Sequence, residues 1–269
     1  MTNGSMSEPV TEPMKRVVKL GGRAQSSDML PSLVAIAWRA NPALCIVHGG
    51  GDEITALQRA FGTEPKFAGG RRVTTQDDLE IIRMVLSGGV NKRLVSRFTA
   101  AGANAVGISG EDAQLIGAEP LGIAEFGYAG MPARINTSIV ETLWLAGHLP
   151  VISPVGASLA HPGTALNVNG DDAAAAIAVA LGADELLLVA DVEGVLDGDG
   201  DVIAQMDVDE ARALIASGVA KGGMAAKLEA AYAALAGGVR TVRIADLAAL
   251  EDLTRGTTVT LVGVTVGGR

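Results

Sequence analysis

The amino-acid sequence predicts an α/β protein, a three-layer αβα sandwich with a mainly parallel central sheet. Short apolar runs alternate with helix-length segments along the chain, which is typical of parallel sheets covered by helices. Apolar residues make up 48% of the 269 residues, yet aromatic residues make up only 3%. Alanine, valine, leucine and isoleucine must therefore supply the core, as in buried parallel sheets packed against alanine-rich helices.

Charge and cysteine content exclude several classes of protein. The net charge of −9 argues against nucleic acid, which needs a basic surface. Cys45 is the single cysteine, so an intrachain disulfide is excluded and a reducing cytosol fits. No apolar run is long enough to span a bilayer, and the polar residues 1–14 predict a disordered leader rather than a signal peptide. We therefore expect a cytoplasmic protein that binds neither membrane nor nucleic acid.

The first part of the chain alternates strands and helices up to residue 182. Strands are predicted where apolar residues run together before a turn, at 16–20, 45–48, 105–108 and 149–153. Helices are predicted between capping and breaking residues, at 29–39, 53–61, 75–86, 90–101, 136–146 and 167–181. A polar connection over 62–75 and a hairpin over 117–132 account for the longer remaining stretches.

The second part keeps this alternation after a boundary near 182–184. Strands are predicted at 185–189, 239–244 and 257–266, and helices at 209–217 and from the glycines at 222–223 to 235. The acidic stretch 197–201 resembles a calcium loop, but Val208 stands where such a loop needs a bidentate glutamate. A tight hairpin turn is the better interpretation.

Two predicted strands end in glycine turns. The strand at 45–48 is followed by Gly49, Gly50 and Gly51, and the strand carrying Lys19 is followed by Gly21 and Gly22. Such turns let the backbone approach an anion at a helix N-terminus. A plain tight strand-to-helix turn is the alternative interpretation of each.

Other common catalytic patterns are incomplete. The P-loop pattern and the full dinucleotide-binding glycine pattern are absent, and the stretch 107–111 has glutamate where a nucleophile elbow needs its last glycine. His48, His148 and His161 do not pair at metal-ligand spacing, so no metal site is predicted. His48 ends a buried strand, which favours a structural histidine over a proton shuttle.

Two lysines at glycine turns fit phosphoryl transfer, which requires mostly positioning and positive charge. A lysine about 4 Å from a phosphoryl oxygen gains roughly 4 kcal/mol at an intermediate dielectric. Lys19 interrupts an apolar strand, whereas Lys227 is also compatible with a solvated surface. Asp171 fits either a helix N-cap or a carboxylate that orients the lysines. Arg72 fits a clamp for a substrate carboxylate or a surface arginine.

Several segments together resemble the amino acid kinase family. The resemblance follows the family's order over roughly residues 15 to 262, in the segments 19–22, 48–51, 70–74, 90–95, 105–110, 167–171, 191–196 and 223–227. The glycine turns mark the superfamily, while the Arg-Val-Thr, Val-Asn-Lys and Asn-Val-Asn-x-Asp elements are more specific. The resemblance implies the amino acid kinase fold in a single domain over 15–269. It also implies an acceptor-substrate and dimerisation lobe over about 15–182 and an ATP-binding lobe over about 183–269.

Within the family, the chain is most similar to members that phosphorylate N-acetyl-L-glutamate with ATP in arginine biosynthesis. The resemblance implies that Lys19 and Lys227 stabilise the transition state, that Asp171 holds them in place, and that the protein is a homodimer. The implied substrate-binding residues are Gly50, Gly51, Arg72 and Asn167. The implied nucleotide-binding residues are Gly21, Gly22, Asp191, Val192, Glu193, Gly194, Val195, Leu196, Val219, Ala220 and Lys221. Mg²⁺ would arrive with ATP, held mainly by its phosphates.

The chain also departs from the family pattern. A short polar leader and a compressed segment 252–258 lead us to expect a dimer that arginine does not inhibit. Glu111 and Ala113 stand where the family often has lysine and glycine. One alternative is a kinase for glutamate or aminoadipate borne on an acidic carrier protein, although a chain of net charge −9 offers little basic surface for docking. Another is an inactive regulatory module that binds amino acids or nucleotides, although binding alone does not need both lysines and Asp171.

Overall fold

The computed structural model describes residues 13–68 and 71–261. Most of the expected leader, residues 1–12, and the C-terminal residues 262–269 lie outside the described residues. The described strands are β1 (Arg16–Leu20), β2 (Leu44–His48), β3 (Lys66–Ala68), β4 (Arg71–Val73), β5 (Ala105–Ser109), β6 (Ile116–Pro120), β7 (Ala129–Ile135), β8 (Leu149–Ser153), β9 (Val155–Ser158), β10 (Ala165–Val168), β11 (Glu185–Val189), β12 (Gln205–Asp207), β13 (Thr241–Ala245) and β14 (Thr257–Thr260). The described α-helices are α1 (Leu30–Ala40), α2 (Gly51–Ala60), α3 (Gln76–Arg83), α4 (Asn91–Ala100), α5 (Ile123–Phe126), α6 (Ser138–Leu145), α7 (Gly170–Leu181), α8 (Val208–Ala216) and α9 (Gly223–Ala236).

The central sheet confirms the predicted α/β sandwich. Its strand order is β12-β14-β13-β11-β1-β2-β8-β5, and its pairs are parallel apart from β13 with β14. All five residues of β1, β2, β8 and β11 are buried, as expected for strands covered on both faces. The apolar runs that predicted these strands are therefore the middle of the sheet.

Helices cover both faces of this sheet. Successive residues of a strand point to opposite faces, so neighbouring side chains pack into different cores. Val17 packs into the apolar core that includes α7 and α9, while its neighbour Val18 packs into the core that includes α1 and α4. Alanine supplies much of the first core, which explains why a chain with so few aromatic residues fills its interior. These two cores and the sheet make the three predicted layers.

Four short strands, β3, β4, β9 and β10, were not predicted from the sequence. The predicted hairpin over 117–132 is formed by β6 and β7, but these strands also join β9 and β10 in a small closed barrel. The connection over 62–75, predicted only as a polar connection, contains the antiparallel hairpin of β3 and β4. The strands β3, β4, β9 and β10 have only three or four residues, so they carry too few side chains to show a period of two.

The two helices predicted at 75–86 and 90–101 form one continuous helical segment. A π-helical stretch, Met84–Val90, connects α3 to α4 where the glycines at 88–89 predicted a break. Thr75 begins the segment with a capping box, in which its side chain and that of Asp78 each accept a hydrogen bond from the other's backbone N–H. π-helical turns are rare and occur frequently at functional sites.

Opposite ends of the central strands hold different chemistry. At the N-terminal end, the carboxylate of Glu185 lies between the guanidinium groups of Arg16 and Arg243, and all three side chains are buried. Arg16 also donates hydrogen bonds of 2.9 and 2.8 Å to the backbone oxygens of Leu250 and Ala249. At the C-terminal end, the glycine turns follow β1 and β2. In open α/β sheets, this second end is where ligands bind.

Candidate active site

A cavity of about 230 Å³ opens beyond the C-terminal ends of β1 and β2. Its walls come from the two glycine turns, the β3–β4 hairpin, the small barrel and the first turn of α7. The predicted site residues that line it are Lys19, Gly22, Gly50, Gly51, Arg72, Asn167 and Asp171. The fold therefore brings predicted catalytic and substrate-binding residues, distant in sequence, to one cavity.

Two lysines share one carboxylate at this cavity. The Nζ atoms of Lys19 and Lys227 lie 3.0 and 3.2 Å from the same oxygen of Asp171, Oδ1. All three side chains are at most 10% exposed, so the charges face one another with little screening by water. The negative charge of Asp171 offsets the repulsion between the two ammonium groups, so they can be held close together.

Burial and charge set the protonation of this cluster. Burial alone would raise the pKa of Asp171, but attraction and hydrogen bonds from Lys19 and Lys227 outweigh it and hold that pKa below its ordinary value. Burial lowers the pKa of Lys227, and repulsion from Lys19 lowers it further, against the attraction of Asp171. The carboxylate thus stays ionised, while the lowered pKa of Lys227 means that this lysine loses its proton more easily than an ordinary lysine.

The helix cap of α7 frees Asp171 for this role. Asn169 is the N-cap, and its side-chain oxygen accepts a hydrogen bond of 2.8 Å from the backbone N–H of Asp171. The interpretation of Asp171 as the N-cap is therefore wrong. Its carboxylate points to the lysines instead, because the neighbouring asparagine satisfies the end of the helix.

The glycine triplet is shaped by close packing. Gly51 begins α2, two residues earlier than predicted, and Gly50 precedes it. A Cβ atom on Gly50 would lie 2.7 Å from Leu86 Cδ2 and 3.2 Å from Val90 Cγ2, both on the π-helical stretch. Glycine at this position therefore lets α2 begin against that stretch, with its positive N-terminal end at the cavity.

His48 fixes the turn rather than facing the cavity. Its Nδ1 donates to the backbone oxygen of Gly49 at 2.9 Å, and its Nε2 accepts from Asn91 Nδ2 at 3.1 Å. Asn91 also donates to the backbone oxygen of Val151 at 2.9 Å, which fixes its amide orientation. Burial lowers the pKa of His48 to about 4, and the positive charges of Arg93, Lys19 and Lys92 add to this effect. The neutral ring is structural, as its position in a buried strand predicted.

The predicted substrate-binding residues Arg72 and Asn167 line the cavity from different strands. Arg72, on β4, donates to the backbone oxygen of Gly51 at 3.1 Å and to Thr55 Oγ1 at 2.9 Å, and its guanidinium lies 4.9 Å from the centre of the Phe67 ring. Asn167, on β10, donates to Thr74 Oγ1 at 3.0 Å. The short hairpin and the small barrel, both missed in the sequence, thus carry these two residues.

Arg71 is a cavity residue that sequence reasoning did not single out. It lines the same cavity and forms an ion pair with Asp172, next to Asp171 on α7. Adjacent residues of a strand point to opposite sides, so Arg71 reaches α7 while Arg72 reaches α2. That alternation could have indicated Arg71 only once the hairpin was known.

Glu111 and Ala113, which depart from the family pattern, lie in a turn after β5. The Glu111 carboxylate accepts hydrogen bonds from Arg83 at 2.6 and 3.2 Å. Ala113 has φ 51°, in the left-handed region that favours glycine. Neither residue lines the cavity.

The first predicted nucleotide-binding segment lies beside the other glycine turn. A Cβ atom on Gly21 would lie 3.3 Å from the backbone oxygen of Val189, where β11 ends. Asp191 then forms an ion pair of 3.5 Å with Arg23, which follows this turn. The segment Asp191 to Leu196 therefore starts at the same edge of the sheet as the cavity, without lining the cavity itself.

The rest of the nucleotide-binding prediction falls on two short stretches. Val195 donates its backbone N–H to Thr257 Oγ1 at 2.7 Å, and a Cβ on Gly194 would meet the same atom at 2.7 Å. Leu196 pairs with Val202 across the acidic turn, as the hairpin interpretation predicted. Val219 and Lys221 are exposed and Ala220 is buried, just before α9 brings in Lys227.

Within residues 13–68 and 71–261, no group of three or more His, Cys, Asp or Glu side chains is arranged to hold a metal ion. Among the helices of those residues, none combines the length and the apolar character needed to cross a membrane.

Sequence and structure comparisons agree with this geometry. Residues 14–246 match the family described as "Amino acid kinase family". An acetylglutamate kinase of Paracoccus denitrificans is 45% identical over 240 residues, which cover 86% of this chain and 76% of that protein. The crystal structure of smu.665 from Streptococcus mutans superimposes with a TM-score of 0.82 at 32% identity, covering 91% of this chain and 98% of that one. Giardia carbamate kinase, at 17% identity and a TM-score of 0.69, covers 93% of this chain and 100% of its own, and shares the fold.

The lowered pKa of His48 predicts a loss of stability in acid. The unfolded histidine, with a pKa of 6.5, binds its proton before the folded one, whose pKa is about 4, so unfolding becomes easier as pH falls through this interval. The loss amounts to about 3 kcal/mol at pH 4. His48→Asn keeps a donor for Gly49 but cannot titrate. We expect urea denaturation to show a flatter pH dependence for this variant.

The exposed His161 provides the matched control. His161→Asn should follow the parent protein over the same pH range, because both share the other acid-titrating groups. Equal slopes for the parent protein and His48→Asn between pH 6.5 and 4 would contradict the assignment.

Proposed function

The chain belongs to the amino acid kinase family, and we propose that it transfers the γ-phosphoryl group of ATP to the side-chain carboxylate of N-acetyl-L-glutamate. The product is the acyl phosphate N-acetyl-L-glutamyl 5-phosphate, and the reaction is the second step of arginine biosynthesis. Relatives named acetylglutamate kinase, 38% to 45% identical over 86% of this chain, support this acceptor. The observation that carries the chemistry is the pair of buried lysines on Asp171, of which Lys19 lines the cavity together with Asp171.

The lysines supply positive charge where phosphoryl transfer needs it. The transferred group spreads negative charge over its oxygens, and catalysis consists mostly of positioning and electrostatic stabilisation. Lys19 comes from β1 and Lys227 from α9, so the two ammonium groups approach the transferred group from different elements. Asp171 keeps both in place before the substrates arrive, so that little reorganisation is needed during the reaction.

The acceptor needs orientation but no general base. A carboxylate with an ordinary pKa of about 4 is already ionised at neutral pH and can attack directly. We assign the other carboxylate of the substrate to Arg72, because guanidinium groups bind carboxylates in a planar, two-pronged geometry. Asn167 and the backbone amides of Gly50 and Gly51 complete the acceptor side. Their position along one cavity with Lys19 supports this assignment.

The nucleotide belongs on the β11 side of the transfer site. We assign it to Gly21, Gly22, Asp191 to Leu196 and Val219 to Lys221. The close approach of Gly21 to Val189 supports this, since a larger residue would push the turn away from the end of β11. Mg²⁺, when bound with ATP, neutralises charge on the phosphates.

The buried cluster also favours an active kinase over a regulatory module. Burying three charged groups is costly unless they are paired, and a module that only binds its ligand has no need of two lysines on one aspartate. A kinase for carrier-borne substrates is less well supported, because the net charge of −9 disfavours docking of an acidic carrier.

We further propose that the protein is a cytoplasmic homodimer, with acceptor and dimer contacts on residues 15–182 and the nucleotide mainly on residues 183–269. Static light scattering should therefore give twice the mass of the 27.3 kDa chain. A mass of one chain, or of six, would contradict the dimer without affecting the proposed reaction.

The proposed reaction predicts a product that hydroxylamine can trap. With ATP and Mg²⁺, N-acetyl-L-glutamate should give a hydroxamate, since acyl phosphates react with hydroxylamine, while free glutamate and N-acetyl-L-aspartate should give far less. Colorimetric detection of the hydroxamate, alongside release of ADP, measures this. Turnover of free glutamate without turnover of the acetylated substrate would contradict the acceptor assignment.

Lys227→Ala should lower kcat by about 10²–10³-fold while changing KM for either substrate much less. A group that stabilises mainly the transition state affects kcat, and removal of one such donor has effects of this size. Glu229→Ala, an exposed change on the same helix, is the matched control and should retain kcat. An unchanged kcat in Lys227→Ala would remove this lysine from the catalytic groups.

A further inference from the structure

Gln58 is a buried amide on α2 that the proposed reaction does not use directly. Its side chain is 1% exposed, although glutamine is mostly found at protein surfaces. A buried amide is retained without cost only if its donor and acceptor are both satisfied. Here both partners belong to the acceptor side of the site.

The two ends of the Gln58 amide connect different elements. Its Oε1 accepts a hydrogen bond from Arg72 Nη1, and its Nε2 donates to Asp78 Oδ1. The other oxygen of Asp78 accepts from the backbone N–H of Thr75 at 3.0 Å and from its hydroxyl at 2.7 Å. A continuous chain of hydrogen bonds therefore runs from the capping box of α3 through α2 to the arginine on β4.

We propose that Gln58 is a positioning residue that aims the Arg72 guanidinium at a carboxylate of the acceptor substrate while leaving its positive charge available. This inference rests on the proposed function and names the group that prepares its acceptor site. Gln58 touches neither the cavity nor the reacting atoms, and acts through Arg72.

The amide of Gln58 is neutral and lies between the carboxylate of Asp78 and the guanidinium of Arg72. Burial works against ionisation of Asp78, but hydrogen bonds from Thr75 and Gln58 and attraction to Arg72 outweigh it, so its pKa lies below the ordinary value. A direct Asp78–Arg72 ion pair would neutralise the guanidinium and compete with the substrate. Gln58 separates the two charges, yet transmits the fixed position of α3 to the arginine.

Arg72 has donors left for a ligand in this arrangement. The protein uses three of the five N–H groups of an arginine, in bonds to Gln58, Gly51 and Thr55. The ring of Phe67 covers one face of the guanidinium. The guanidinium is therefore fixed on three sides before the substrate binds, which reduces the entropy lost on binding.

The first test is Gln58→Met, which keeps the length of the side chain but cannot form either hydrogen bond. We expect KM for N-acetyl-L-glutamate to rise about tenfold, as for loss of a hydrogen bond to a charged group, with kcat and KM for ATP changed less than about twofold. Gln76→Met, an exposed change on α3, is the matched control and should keep all three constants. A rise in both KM values together would indicate a structural role and overturn the proposal.

A double-mutant cycle tests whether Gln58 acts through Arg72. In an Arg72→Met background, Gln58→Met should lower kcat/KM for the acceptor less than twofold further, because the group being positioned is gone. Additive effects of the two substitutions would overturn the proposal. An acceptor KM within twofold of the parent value in Gln58→Met alone would do the same.

Gln58→Glu gives a second readout in a side chain of the same shape. The introduced carboxyl faces both Asp78 and Arg72, so we expect a raised acceptor KM at pH 8 that recovers severalfold at pH 6, where the two carboxyls share a proton. The acceptor KM of the parent protein should change less than twofold over this range. A pH-independent KM in Gln58→Glu would overturn the proposal. A parent protein that does not phosphorylate N-acetyl-L-glutamate would instead overturn the proposed function.

Discussion

The contact of Lys19 and Lys227 with one oxygen of Asp171 is the interaction on which the site depends. It joins a strand in the middle of the sheet to two helices, and brings together residues more than 200 positions apart in the sequence. Buried charges are tolerated only when they are paired. The cluster therefore couples assembly of the proposed catalytic site to folding, since the repulsion between the two lysines is offset only when α7 presents the Asp171 carboxylate.

Much of the fold was readable because parallel strands buried on both faces leave a strong signal. The bounds of β1, β8 and β11 were predicted to the residue, since each is an apolar run followed by a turn. Lys19 stood out for the same reason, as a charge inside such a run. The resemblance to the amino acid kinase family supplied the residue roles, including Lys227, whose own surroundings in the sequence were compatible with plain surface.

The parts that could not be predicted depend on tertiary contacts. The strands β9 and β10 of the small barrel and the β3–β4 hairpin have only three or four residues, too few to show a period, so they form because they pair with other strands. Asn169 and Asp171 are both competent helix caps, and only the position of the lysines decides between them. The proposed role of Gln58 cannot be recognised from the sequence, because the pattern does not distinguish a buried glutamine from the solvent-exposed polar residues of an amphipathic helix.

The π-helical stretch between α3 and α4 sets how far α4 is rotated about the helix axis relative to α3. The helix start at Thr75 holds Asp78 beneath Gln58, while Asn91, just beyond the stretch, holds His48 under the glycine turn. Each residue added to or removed from a helix turns everything after it by about 100°. A deletion within Met84–Val90 would leave both apolar faces recognisable but carry Asn91 away from the histidine. The contact between Asn91 and His48 therefore depends more on the number of residues in this stretch than on the identity of most of its side chains.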